Sequence, residues 1–201
     1  MEDLLAPPDL ATPGVLRSVR TSHYLVTGSN IAELRDAVAL LGPKKDRRAF
    51  GGFTAWALRW TFEARPSSGD RAPGGAFGTT RITVAVDAVV TLPRWEPTRA
   101  TDAPTRAEWN RYVLALADHE SGHVAIANAA ASDLADLLRD LRAETPLTLH
   151  RTGDGVARER IARARVEDAY YDVRTRHGGT QNARLGLALV PRTDPAASRC
   201  A

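Results

Sequence analysis

The sequence holds a single cysteine, Cys200, one residue from its C-terminal end. One thiol cannot close an internal disulfide and cannot build a cysteine-ligated zinc module, so neither staple is encoded. Lysine is almost as scarce: Lys44 and Lys45 stand alone, and every other basic side chain apart from histidine is arginine. The arginines are spread along the whole chain and form no basic block, which fits a bias of genome composition and argues against a nucleic-acid footprint. The formal charge is only +3. No run of 18 apolar residues exists, which excludes a membrane-spanning helix. The opening "MEDLLAPPDLATPGV" carries acidic residues where a signal peptide needs positive charge, so no export signal is legible. A G-x-S-x-G nucleophile elbow is also missing.

What remains is 201 residues with an ordinary apolar fraction of 43%, enough for one domain with a substantial core. Residues 1–20 are Pro-rich and aperiodic and read as a loose arm, residues 21–190 as a single domain, and residues 191–201 as a frayed tail. "SHYLVTGSN" reads as a strand ending in a turn. Ser29 or Asn30 can cap "IAELRDAVALLG", whose Ile31, Leu34, Val38 and Leu41 recur at helical spacing until Gly42-Pro43. "FTAWALRWTFEA" and "TRITVAVDAVVTLPRW" alternate with period two and can pair as an antiparallel hairpin across the Gly- and Pro-rich "RPSSGDRAPGGAFG". From about residue 105 the period becomes helical. Thr105 and Glu108 fit a capping box, and a stripe through Trp109, Tyr112, Leu116, His119, Glu120, His123, Ala127, Leu134 and Leu138 runs to Thr145-Pro146. A second helix is expected over "GVARERIARARVEDAYYDVRTRH", ending at Gly178-Gly179. Strands with one helix, then two long antiparallel helices, make an α+β fold.

The chemistry sits in "DHESGHV". His119 and His123 are one helical turn apart and can both point a ring nitrogen at one metal ion. Neutral imidazoles with an open position suit Zn²⁺. In H-E-x-x-H metalloproteases the glutamate, here Glu120, takes a proton from zinc-bound water and returns it to the leaving amine. Both histidines lie on the apolar stripe, where an unpartnered polar group is costly. Ser121 and Gly122 are poor helix formers there, and the small Gly122 leaves room for another element to approach.

A third protein ligand is needed. From His123 the first helix runs about 19 more residues, roughly 28 Å. An antiparallel second helix therefore returns its last turn, "YYDVRTRHGG", level with the pair. That turn delivers His177, the first choice for third ligand, and Asp172, either the alternative ligand or an acceptor that orients an imidazole. Tyr170 or Tyr171 is placed to hydrogen-bond an oxyanion, or simply to pack. Glu167 and Asp168, a turn earlier, read as solvated; His150 reads as surface and His23 as structural.

"HESGHVAIA" followed by "YYDVRTRHGGTQ" resembles a bacterial family known as domain of unknown function 922, described as predicted secreted zinc-dependent proteases. The matching positions are His119, Glu120, Gly122 and His123, then Tyr171, Asp172, Thr175, His177, Gly178 and Gln181. "YLVTGSNIAELRDAVALLGP", "GFTAWALRW" and "VVTLPRW" extend the resemblance over about residues 22–182. It implies a zincin-like metallopeptidase with a secreted or cell-envelope location. Together with the reading of the residues, the leading expectation is a zinc metallopeptidase acting on a peptide or protein, with catalytic Glu120 and Tyr171 and Zn²⁺ on His119, His123 and His177. The other reading is a non-catalytic module stabilised by zinc that binds a protein or envelope partner, with Trp56, Trp60 and Trp95 as a binding face. A closed four-ligand site would mark it.

Overall fold

The computed structural model of the chain describes residues 14–45, 47–67, 77–99 and 101–186. In chain order these form β1 (Val15–Val26), α1 (Ile31–Leu41), β2 (Lys44–Lys45), β3 (Arg48–Ala49), β4 (Phe53–Pro66), β5 (Phe77–Trp95), α2 (Ala103–Arg139), β6 (Arg142–Ala143), α3 (Pro146–Thr175) and a 3-10 turn at Gly179–Gln181. The fold is α+β, as the change of period along the sequence implies.

Alternation builds the sheet. Val84, Val86, Ala88, Val90 and Leu92 in β5 fall two residues apart, so they share one face, and all are buried beneath the helices. β5 is the central strand. β4 lies antiparallel to it from Phe53↔Thr91 to Pro66↔Phe77, the expected hairpin, with an irregularity between Thr61 and Glu63. β1 lies parallel on the other side, from Val15↔Val84 to Val26↔Trp95. The short β6 pairs with Phe77 and Gly78 of β5, on the part of that strand β1 does not reach. β2 and β3 make a separate two-residue hairpin.

α2 crosses the sheet on a seam of small residues. Ala127, Ala130, Ala131 and Ala135, all at most 1% exposed, bring its backbone close to Val15, Trp56, Val84 and Val86. Ala157 and Ala164 do the same for α3. A second cluster joins α1 to the other end of the sheet through Ile31, Leu34, Val38, Val90, Trp95, Trp109, Tyr112 and Leu116. Trp56 and Trp95 belong to these cores, and Trp60 packs partly buried against the first, so the tryptophans are packing residues rather than a face.

Several boundaries differ from the expected ones. β1 starts at Val15, inside the stretch read as an arm, because Val15 is fully buried against the helix seam and Gly14 O accepts from Val84 N at 2.6 Å. Residues 1–13 of that arm, and residues 187–201 with the tail, lie outside the described residues. Asp102, not Thr105, caps α2: its carboxylate accepts from Thr105 N at 2.6 Å, ahead of a proline in the first turn where no N–H is needed. Glu108 instead pairs with Arg111 at 2.7 Å. Thr145-Pro146 opens α3 rather than ending α2: Thr145 Oγ1 accepts from Thr148 N at 3.1 Å. α3 is thus longer than expected and runs through Gly153, where a Cβ would stand 2.5 Å from Cζ of Phe62. Packing, not chain breaking, accounts for that glycine.

Candidate metal centre

The long α2 and the returning α3 meet at one cavity of about 310 Å³, whose walls include the Phe50–Trp56 segment, α2 and the end of α3. α2 contributes His119, Glu120 and His123, at 3%, 3% and 6% exposure. Their spacing puts the two imidazoles edge to face, with ring centroids 5.0 Å apart. Both present Nε2 to the same atom, Oδ1 of Asp172 from the last turn of α3, at 3.4 Å for His119 and 3.3 Å for His123. The ligand atoms of His119, His123 and Asp172 lie within 4.8 Å of one another, a group that could hold a metal ion.

The other ring nitrogens are also engaged. His123 Nδ1 is 2.9 Å from Asp168 Oδ1, and His119 Nδ1 is 3.0 Å from Gln181 Oε1. Acceptors at Nδ1 fix both rings with Nε2 facing inward, the orientation a metal ligand needs once an ion takes the place of any Nε2 proton. Asp168 is itself steadied by the Trp56 indole, which donates to Oδ1 at 3.0 Å. Asp168 is therefore not the solvated residue the sequence suggests; it lies four residues before Asp172, on the same face of α3, while Glu167 points away to Arg160.

Charge follows contact. Burial works against a charged His123, but the hydrogen bonds and charges of Asp168 and Asp172 prevail and push it up to about 9. Burial would raise Asp172, yet hydrogen bonds from His119 and His123 and the nearby His123 and His177 hold it far below the usual carboxylate range. Asp168 is lowered against its own burial by His123 and Trp56. Glu120 moves the other way: burial raises it, and the hydrogen bond from Thr54, with the two histidines, only partly offsets this. Thr54 Oγ1 donates to Glu120 Oε2 at 2.7 Å, and the absence of a side chain at Gly52 admits Oε1, which a Cβ would meet at 2.7 Å.

His177 follows the end of α3 in a left-handed turn, with φ of 52° at Arg176, 52° at His177 and 75° at Gly178. The turn puts His177 Nδ1 3.4 Å from Asp172 Oδ1, on the cavity wall and half exposed. It meets Asp172 rather than joining the group of three, so Asp172, the alternative third donor, is the one the described geometry gathers with the histidines. Gly178 is required by proximity as well as by φ: a Cβ there would stand 3.0 Å from Cγ of His119.

Tyr171 stacks on His119 at 5.1 Å and 11°, and donates to His119 O at 3.1 Å. Gln181 Nε2 in turn donates to its hydroxyl at 3.1 Å. Its ring is not among the cavity-lining residues. The arrangement suits Tyr171 to holding His119 in place rather than to meeting a bound oxygen. This contact is what Gly122 makes room for: a Cβ there would lie 2.2 Å from the Tyr171 hydroxyl. Tyr170 is exposed; His150 stacks on Phe62, and His23 lies exposed on β1, both apart from the cavity.

Sequence reasoning passed over Thr54, Tyr112 and the Gly51-Gly52 pair. Tyr112 has a signal in hindsight, lying two turns before Glu120 on the same helix face.

Among the described residues, no helix is long and apolar enough to cross a membrane. No curated protein and no solved structure shows a significant match. The family described as "Bacterial protein of unknown function (DUF922)" matches residues 21–178, which contain every residue of the centre except Gln181. A match over that much of the chain, with the two motifs meeting at one cavity, places this protein in the DUF922 family.

Proposed function

We propose that the protein is a zinc-dependent hydrolase of peptide or other amide bonds. The observation that carries this reading is a buried carboxylate, Glu120, standing in one cavity with two oriented imidazoles and Asp172. The donor set fits the metal: two neutral nitrogens and one carboxylate, each imidazole fixed from behind, match zinc sites that keep a position open. His119, His123 and Asp172 would hold the ion, with His177 beside them. Bound zinc would supply Lewis-acid polarisation and make water acidic enough to attack at neutral pH.

The protein's own groups do the rest. Glu120, raised by burial, is a stronger base than a surface carboxylate and takes a proton more readily. It takes the proton of the attacking water and returns it to the leaving nitrogen. Thr54 fixes one carboxylate oxygen, leaving the other for that transfer. Asp168 and Gln181 keep both imidazoles in register throughout.

The test is metal content with hydrolysis of a quenched-fluorescent peptide library. One zinc per chain, and turnover lost in Glu120→Gln while zinc is retained, is the expected result. Full hydrolysis by Glu120→Gln would sink the reading. A second reading has one observation in its favour, the position of His177 Nδ1 3.4 Å from Asp172 Oδ1. If His177 and Asp172 both ligate, the site is closed and the protein is a zinc-stabilised binding module. Zinc lost equally in His177→Ala and Asp172→Ala, with no turnover, would favour it.

A further inference from the structure

Tyr112 is a buried tyrosine whose hydroxyl opens on the cavity without a protein partner among the described residues. It is 3% exposed and packs in the second core cluster, yet it also lines the cavity beside Glu120. Its hydroxyl makes no hydrogen bond to any of the described residues, whereas Tyr24 donates to Gly51 O at 2.7 Å and Tyr171 to His119 O at 3.1 Å. The oxygen is not one of the buried polar atoms that lack a partner, so it opens on the cavity, where water or a bound group can take its hydrogen bond.

The surroundings are shaped to keep that hydroxyl at the cavity wall. Gly51 faces it so closely that a Cβ would stand 2.1 Å from the oxygen. The neighbouring Gly52 does the same for Glu120. Two consecutive glycines therefore let two α2 side chains, two turns apart, reach the same wall. Burial, with the Glu120 carboxylate nearby, pushes the phenol further up, so at neutral pH it is a donor and not an anion.

We propose that Tyr112 is a catalytic residue whose hydroxyl donates a hydrogen bond to the carbonyl oxygen of the bound amide substrate and to the oxyanion that replaces it. The inference rests on the hydrolase reading and adds to it the group that stabilises developing charge, the part that Tyr171 is turned away from playing. No covalent bond to Tyr112 forms and its proton stays on the phenol.

The experiment uses the full chain loaded with Co²⁺, whose visible spectrum reports its ligands, and acetohydroxamate as the probe. This small chelator places a carbonyl oxygen and a second oxygen where substrate carbonyl and attacking oxygen would sit. Tyr112→Phe keeps the ring and its packing and removes only the donor. The expected result is unchanged Co²⁺ affinity with acetohydroxamate bound about tenfold more weakly or worse, as for loss of a hydrogen bond to a charged group. Gly51→Ala, which displaces the hydroxyl without removing it, should weaken the probe likewise, and Tyr170→Phe should not. Equal acetohydroxamate affinity in Tyr112→Phe overturns the assignment and leaves the hydrolase reading standing. Loss of Co²⁺ in Tyr112→Phe also overturns it, since Tyr112 would then be structural. A wild-type chain that takes up no Co²⁺, or binds it without acetohydroxamate, defeats the hydrolase reading itself and the assignment with it.

Discussion

Gly122→Ala inverts an ordinary expectation. In a helix interior, Gly to Ala normally stabilises by about 1 kcal/mol through backbone entropy. Here the new Cβ would stand 2.2 Å from the Tyr171 hydroxyl, 2.4 Å from Cζ and 2.8 Å from Cε1. Ordinary contact begins near 3.4 Å, so the ring must retreat by roughly 1 Å. Overpacking of that kind costs about 1–3 kcal/mol, and loss of the Tyr171–His119 hydrogen bond about 1 more. The sum predicts net destabilisation of about 1–3 kcal/mol. Urea unfolding in chelator, read by tryptophan fluorescence, measures it. The same substitution in a Tyr171→Ala background meets no ring and should stabilise by about 1 kcal/mol, so the double-mutant cycle isolates the contact. A Gly122→Ala protein more stable than wild type would refute the claim that α3 rests on this glycine. Because Asp172 follows Tyr171 on the same turn, Gly122→Ala should also weaken metal binding, a result that equilibrium dialysis can check.

Asp172→Ala should lower Zn²⁺ affinity by more than about 100-fold, beyond what losing a hydrogen-bond partner of a ligand costs, and His177→Ala by no more than about tenfold. Competition with a zinc-sensitive dye ranks the two, and the reverse order would make His177 the third donor. Asp168→Ala should cost about 10–100-fold in the same assay by releasing His123 Nδ1, while the far-ultraviolet spectrum stays unchanged. In metal-free protein the folded-state value of His123, about 9, lies above its ordinary 6.5. Its contribution is thus fully present below about 6.5 and lost as pH rises through 9, no more than about 3 kcal/mol in all. Urea midpoints at pH 6, 8 and 10 should fall in that order, and zinc affinity should rise about tenfold per pH unit up to about pH 9 and then level off, because the ion displaces that proton. A rising series of midpoints would contradict the His123–carboxylate contacts. Thr54→Val removes the bond that favours ionised Glu120, so the acid limb of any turnover profile should move to higher pH.

The parts of this centre that were legible are those set by one helix. His119, Glu120 and His123 follow from the 3.6-residue period alone, and the antiparallel return of α3 follows from the lengths of two periodic segments. What was illegible depends on partners distant in sequence. Asp168 sits among arginines and glutamates that do face water, and only the approach of Trp56, 112 residues away, turns it into a support for His123. Tyr112 reads as one more stripe residue until Gly51 is brought against it. The choice between Asp172 and His177 hangs on a left-handed turn of three residues, two of which are not glycine. The hairpin of β4 and β5 was visible in its alternation. The parallel partnership of β1 with β5 was not, since period two says which residues share a face and nothing about the neighbouring strand's direction.

That parallel partnership also dictates the order in which the chain can fold as it is made. Sixty-nine residues separate Val15 from its partner Val84, and β4, made in between, needs the same central strand. At a synthesis rate of about 5–20 residues per second, β1 waits roughly 3–14 seconds for β5. Throughout that interval neither long strand has an edge to join, and the alanine seam of α2 that would cover both has not been translated. The sheet therefore forms as a late, nearly simultaneous event, and a pause in translation just before β5 would prolong the exposure of both unpaired strands.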